Sequence, residues 1–303
     1  MATSASLEHT SVRSPRLKAA RRLTKRAFRE RARAFLAEGP QAVSEALACG
    51  APVTELFVTA EARARHGDLV TGLARAGAPV HTVSGEVMSD LAQTVTPQGL
   101  LAVCGFVDVP LERAVPRPGT GSGNDRGGPG IAGTRPPLVA ILANVRDPGN
   151  AGTVLRTADA AGAQAVIFSD ASVDPYNGKC VRASAGSIFH LPLVVGVPAD
   201  RAARELREAG LRVLAADTRG GRSLDDLGPA ELAAPTAWMF GNEAWGLPGD
   251  LAALADESVA VPIYGRAESL NLATAAAICL YASARAGHRG SEGPAEAAGD
   301  RAL

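Results

Sequence analysis

Hydrophobic positions along this chain change their period several times, and each change predicts an element. From Leu17 to Ala48 apolar residues recur at helical spacing, first at Leu17, Ala20, Leu23 and Ala27, then at Phe35, Val43 and Leu47. Two successive helices are predicted there, stopped by Gly50 and Pro52. VTELFVT (53–59) predicts a strand, 61–77 a helix ended by Gly77, PVHTVS (79–84) a strand, GEVMSDLA a short helix, and 100–109 a final strand. Alternation of this kind over residues 16–109 makes a small α/β domain.

Residues 110–137 are so rich in Gly and Pro that they cannot bury a core, which predicts a flexible linker. Its GTGSG (119–123) neither follows a strand nor opens a helix, so a dinucleotide-binding reading fails. Strong patterning returns at LVAILANV (138–145), a near-continuous apolar run of the kind seen in buried parallel strands. A helix over 151–162, a strand over 163–170, a helix leading into a strand over 180–196 and a helix over 201–210 follow. Strands at 211–218, 236–243 and 257–264 and an apolar helix over 269–287 complete a parallel α/β domain spanning 138–288. Residues 1–15 and 289–303 are expected to be disordered tails.

Composition narrows the picture. Hydrophobic residues at 46% and charged residues at 20% suit a globular protein with two modest domains. No apolar run approaches the roughly 20 residues that cross a bilayer, and the N-terminus lacks the apolar core of a secretory signal, so a cytoplasmic location is expected. The four cysteines (Cys49, Cys104, Cys180, Cys279) and five histidines lie far apart, with no metal-ligand spacing and no Ser-His-Asp context; reduced, structural thiols and no metal are expected. The net charge is zero, yet between Arg13 and Arg33 ten basic residues face one acidic residue, so this segment carries 10 − 1 = +9 and the rest of the chain −9. Such a run fits contact with phosphates, and a solvated helix face would show the same run. Arg16, Lys18, Arg21, Arg22, Lys25 and Arg26 are the candidate RNA-contacting residues.

Three loops at predicted strand ends hold the candidate chemistry, where open parallel sheets place ligands. In NVRDPGNAGTVLRT (144–157), Pro148 and Gly149 suggest a tight turn, Asn150 is placed to cap the next helix, and Arg156 emerges about two turns into it. In FGNEAWGLP (240–248), Gly241 and Gly246 permit close backbone approach, with Glu243 between them. In VPIYGRAESLNLA (261–273), Ser269 and Asn271 occupy the start of the apolar helix, where an ordinary N-cap would also explain Ser269.

In this order and spacing the three loops resemble the signature motifs of the SpoU/TrmH branch of the SPOUT methyltransferase superfamily, and RASAGSIFHLP (182–192) resembles the segment between them. The N-terminal domain is similar to the ribosomal-protein-like RNA-binding domain that many members carry. The resemblance implies a C-terminal parallel sheet with a deep trefoil knot, a departure from the general avoidance of knots, in a homodimer. It implies S-adenosylmethionine as cofactor, held by Gly241, Val261 and Leu270 largely through backbone groups, with Ile263 in the same pocket and Ala216 and Thr218 as weaker candidates. It implies methylation of a ribose 2′-hydroxyl in structured RNA. Arg156 would stabilise the developing alkoxide, Asn150, Ser269 and Asn271 would orient the substrate, and Glu243 would organise the second loop or pair with Arg156. The stretch SPRLKAARRLTKRAFRERARAFLAEGPQAVSEAL resembles the start of ribosomal RNA methylating members, which implies 23S ribosomal RNA as substrate over transfer RNA. The competing expectations are a transfer RNA 2′-O-methyltransferase and a non-catalytic RNA-binding protein.

Overall fold

The computed structural model describes residues 14–115, 135–218 and 221–291. The core of the predicted linker, with GTGSG, and most of both predicted tails lie outside these residues; Pro15 and Arg289–Ser291 are inside them and helical. By its internal contacts the protein divides into two compact units. The first takes the residues up to Asp108 together with Arg146–Arg156 and Val173–Val195; the second takes Val109–Val145, Thr157–Ser172 and the residues from Gly196 onward. Two stretches of the predicted second domain thus belong by contact to the first unit.

The first unit begins with α1 (Pro15–Arg22), α2 (Arg26–Ala32), β1 (Ala34–Glu38), α3 (Pro40–Ala48) and β2 (Val53–Thr59). It continues through α4 (Ala60–Arg65), α5 (Gly67–Arg75), β3 (Val80–Val83), α6 (Gly85–Leu91) and β4 (Leu100–Gly105). Its sheet has the order β1-β4-β2-β3, with β1 and β2 antiparallel to β4 and β3 parallel to β2. Leu17 and Ala20 from α1, with Leu23 just after it, are buried in one cluster with Phe57 and with Val87, Met88 and Leu91 of α6.

Strand β1 corrects the sequence reading, which continued helix through Phe35. Arg33 takes a left-handed conformation (φ 49°) that ends α2, and Phe35, Leu36 and Ala37 are all buried in register with Cys104, Val103 and Ala102 of β4. A short apolar run reads equally as helix or strand, and here sheet pairing decides. The predicted helix over 61–77 is likewise two, divided at His66.

The remaining elements are α7 (Leu111–Ala114), β5 (Leu138–Leu142), α8 (Pro148–Ala160), β6 (Ala165–Ser169), α9 (Gly178–Ala183), β7 (Leu193–Val197) and α10 (Ala199–Glu208). After them come β8 (Arg212–Ala216), β9 (Arg222–Ser223), α11 (Pro229–Leu232), β10 (Thr236–Phe240), α12 (Gly249–Ala252), β11 (Glu257–Ala260) and α13 (Leu272–Ser291). The seven-stranded sheet runs β7-β6-β5-β10-β8-β11-β9, and β5, β6, β8, β9, β10 and β11 pair in parallel. Every residue of β5, β6 and β10 is buried, as continuous apolar runs require. Helix α13 buries Ala273, Ala276, Cys279, Leu280 and Ser283 along one stripe, where Ser283 Oγ accepts a bond from the fully buried Trp238 indole (3.0 Å).

Within the first unit, α9 and the residues around it are held by aromatic contacts. Tyr176 stacks on Phe106 (centroids 3.8 Å apart) and meets Phe35 at 4.8 Å. Its hydroxyl accepts from the backbone N–H groups of Val107 and Asp108 and donates to the Asp108 carboxylate. Burial and that neighbouring carboxylate push its ionisation far up, so it remains a neutral hydrogen-bonding strut.

Candidate ligand cavity and catalytic loops

Parallel strands all point their C-terminal ends to one edge, and the second unit has a cavity at that edge. Ala216, Asp217 and Thr218 lead out of β8, Val259 and Val261 flank the end of β11, and Ile263, Leu270 and Ala275 close the walls. Asp217 N–H donates to Val259 O (3.1 Å), so the two strands stay joined where the cavity begins. Five of the six residues expected to hold the cofactor, namely Ala216, Thr218, Val261, Ile263 and Leu270, line this one cavity.

Gly241, the sixth, is not in that lining; its place is at the base of the second loop. A Cβ added there would lie 2.4–2.6 Å from the backbone of Gly246 and Leu247, too close for any side chain. The absence of that atom lets 242–246 close into a tight loop, with Asn242 N–H donating to Gly246 O and Gly246 N–H to Asn242 O, both 2.9 Å. Gly246 supplies the left-handed turn (φ 71°). Asn242, buried and not singled out from sequence, locks the loop further. Its Oδ1 accepts from Ala244 N–H (2.8 Å), and its Nδ2 donates to the carbonyl of Asn144 (3.0 Å), joining the second loop to the first. Glu243 is exposed on the same loop.

The first loop is fixed from below by two buried serines the sequence reading also missed. Asn144, itself left-handed (φ 61°), donates its N–H to Ser169 Oγ. Ser172 Oγ accepts from Val145 N–H and donates to Leu142 O, and the two hydroxyls are 3.0 Å apart. Each would be a costly orphan without these partners, so together they specify one loop geometry.

The helix that follows begins earlier than its pattern suggested. Pro148 and Gly149 form its first turn instead of a separate turn, and Asn150 lies inside it. The capping side chain is Asp147, whose Oδ1 accepts the N–H of Asn150 (2.8 Å). The bond from Lys179 Nζ (2.6 Å) and those backbone donors hold the Asp147 carboxyl below its ordinary range. Pro suits the first helical position because its missing N–H would have no partner there. Arg156 lies two turns further along α8 and is exposed, a fixed cation in water's reach. Gly152, between them, has the Cys180 carbonyl 2.3 Å from where a Cβ would sit, so α8 and α9 meet almost backbone to backbone.

In the third loop Asn271 is the N-cap of α13: its Oδ1 accepts from Ala273 N–H (2.9 Å) and its carbonyl from Ala275 N–H (2.9 Å). Ser269 is exposed in the loop ahead of the helix, not at its start. Asn150 and Arg156 belong by contact to the first unit and Glu243, Ser269 and Asn271 to the second.

The basic helices sort into structural and exposed charges. Arg29 is buried against Asp174 (2.7 Å) and also donates to Leu23 O, Arg21 pairs with Asp90, Arg26 with Glu30, and Arg33 with Asp108. Arg16, Lys18, Arg22, Lys25 and Arg26 are exposed, and Arg22 lies over the Phe28 ring. The buried thiols of Cys104 and Cys279 are pushed up to about 12, and Cys180 further, so none is a thiolate nucleophile at neutral pH. Among the described residues no group of three or more His, Cys, Asp or Glu could hold a metal ion.

An apolar cavity and tightly held loops at the carboxyl edge of a parallel sheet define an α/β protein with a candidate ligand site at its strand ends. Residues 137–281 match the family model of the SpoU rRNA methylase family, and 14–102 match that of the MRM3-like substrate binding domain. The 23S rRNA (guanosine(2553)-2′-O)-methyltransferase RlmP of Bacillus subtilis is 34% identical over 272 residues, 89% of this chain and 96% of that protein. The 23S rRNA (guanosine-2′-O-)-methyltransferase RlmB of Bordetella pertussis is 32% identical, covering 77% and 89%. A crystal structure of an AdoMet-bound rRNA methyltransferase from Sinorhizobium meliloti superposes with a TM-score of 0.75 at 31% identity, over 91% of this chain and 96% of that one. The chain belongs to the SpoU rRNA methylase family.

Proposed function

We propose that this protein is an S-adenosylmethionine-dependent methyltransferase of a ribose 2′-hydroxyl in 23S ribosomal RNA. The observation that carries the reading is the cavity at the ends of β8 and β11, lined by five residues expected to hold the cofactor. Its walls fit an adenosine: Ala216, Val261, Ile263 and Leu270 are apolar, while Thr218, Asp217 and the strand-end backbone offer polar atoms at the rim. When bound, S-adenosylmethionine supplies a methyl group already activated by its sulfonium. The task of the chain's own residues is then to hold the ribose in line and favour charge on its oxygen.

Arg156 is assigned that electrostatic role. A guanidinium stays protonated at neutral pH, so it stabilises a developing alkoxide or holds the neighbouring phosphate and does not serve as the base. Asn150, Ser269 and Asn271 orient the substrate; the backbone of Asn150 and the side chain of Asn271 are themselves fixed by helix-end hydrogen bonds. Glu243, on the loop that Asn242 ties to Asn144, is assigned to the same centre. Residues 16–109 carry the RNA, with Arg16, Lys18, Arg22, Lys25 and Arg26 toward the phosphates.

A knotted backbone fits the strand order, because β10 enters between β5 and β8 while β11 lies beyond β8 and α13 returns to β10 through the Trp238–Ser283 bond. A homodimer fits the outer face of α13. Ile278 and Tyr281 are exposed there beside Leu224, Leu227 and Leu232, an apolar groove that a second copy would cover.

The test is transfer of labelled methyl to separate ribosomal and transfer RNA pools, followed by mapping of alkali-resistant positions. Arg156→Ala should abolish transfer while leaving cofactor binding nearly intact; full activity would remove the assignment. Label in transfer RNA alone would move the substrate, and label in neither pool would favour an RNA-binding platform.

A further inference from the structure

We infer that Trp245 is a stacking platform for a nucleobase of the RNA substrate, an inference that rests on the RNA methyltransferase reading above. The chain has two tryptophans, and they are treated in opposite ways. Trp238 is wholly buried with its indole N–H satisfied by Ser283, whereas Trp245 is 59% exposed. An indole is a large apolar group, and leaving one in water forgoes the burial it would gain in a core.

The loop explains why Trp245 stays out. Gly241 and Gly246 bring the two ends of 242–246 into backbone contact, and two reciprocal bonds of 2.9 Å close it. Asn242 pins the interior to Ala244 and to Asn144. A residue at the tip of so short and fully bonded a loop cannot fold back over β10. The indole is therefore presented with its backbone already ordered, which lowers the entropic cost of a contact made through it.

The surroundings select the kind of contact. In sequence the ring is flanked by exposed Glu243 and Ala244 on one side and exposed Gly249 and Asp250 on the other, so no run of exposed apolar residues adjoins it in the chain. A single uncharged ring suits the uncharged π-face of a base, which every nucleotide offers and which aromatic side chains commonly receive in single-stranded or splayed RNA. The loop also leaves the C-terminal end of β10, whose neighbour β8 ends at the cavity, so a base stacked there is held at the edge of the sheet where methyl transfer is assigned.

Two tryptophans of opposite exposure make the test direct. Full-length protein titrated with 23S ribosomal RNA transcribed in vitro should lose the long-wavelength emission of Trp245 while the blue emission of Trp238 persists. Trp245→Ala should raise KM for that RNA on the order of 5- to 150-fold, the range of one lost base stack, with KM for S-adenosylmethionine and Tm unchanged. Trp245→Phe should recover most of the difference. Unchanged KM in Trp245→Ala, or Trp245 emission unaffected by RNA that the wild type methylates, would overturn the inference. So would shielding of Trp245 from iodide before RNA is added, which would indicate cover by a second copy, or quenching by S-adenosylmethionine alone. RNA quenching of Trp245 in a wild type that transfers no methyl would remove the methyltransferase reading and leave the stacking contact standing.

Discussion

Replacing Gly241 with alanine adds a single methyl group, and its consequence can be worked out from the geometry of the second loop. The new Cβ would sit 2.4 Å from the Gly246 carbonyl carbon, 2.5 Å from Leu247 N and 2.6 Å from Gly246 O. Tolerable contacts begin at 3.0–3.4 Å, so the 246–247 backbone must retreat by on the order of 0.6–1 Å. Both Asn242–Gly246 bonds, now 2.9 Å, then stretch beyond useful length. Losing two net hydrogen bonds at about 0.5–1.5 kcal/mol each, together with about 1–3 kcal/mol of overpacking strain, gives a cost of about 2–6 kcal/mol. At roughly 2–4 °C per kcal/mol for a domain of this size, Tm should fall by on the order of 5–20 °C, with methyl transfer lost as the loop shifts. Gly249→Ala is the matched control, because nothing lies within 4 Å of its added Cβ. It should be neutral or slightly stabilising, since alanine restricts the unfolded chain. Scanning calorimetry of the two variants decides the matter: equal Tm values would refute the claim that backbone closure at Gly241 holds this loop.

Two further perturbations test the surrounding framework. Asp147→Ala removes the cap of α8 and should cost about 1 kcal/mol at neutral pH by chemical denaturation. The folded carboxyl titrates below its ordinary value near 3.8, so its contribution is present above that pH and is lost as pH falls through the folded value; wild type and variant should converge there. Arg29→Met should cost about 3–5 kcal/mol, because it leaves the nearly buried Asp174 carboxylate without its cation, and the added change Asp174→Asn should return part of that loss in a double-mutant cycle.

The family resemblance, and not periodicity, pointed to Ala216, Thr218, Val261, Ile263 and Leu270; they come to share a cavity because β8 and β11 pair in parallel, which gathers the residues at and beyond their C-terminal ends at one edge. The charged run at the N-terminus was legible only as a count. Which charges are committed depends on partners far away in sequence, as Arg29 shows with Asp174 and Arg33 with Asp108.

The cap of α8 was misread, and the part of Asn242 in the second loop missed, for a related reason. Asp147 and Asn150 are both good caps three residues apart, and only the position of Pro148 at the first helical residue, set by the chain leaving β5, makes Asp147 the acceptor and Asn150 the donor. At the start of α13 the cap that the sequence reading offered to Ser269 is supplied by Asn271. In the second loop the charged Glu243 is more conspicuous than Asn242, yet an amide can give and accept at once, and a loop that must bond Ala244 N–H and the Asn144 carbonyl together requires that pair of functions. A carboxylate at position 242 could accept from Ala244 but would face the Asn144 carbonyl with a second acceptor, so the buried position needs the neutral side chain and the charge belongs at the exposed neighbour.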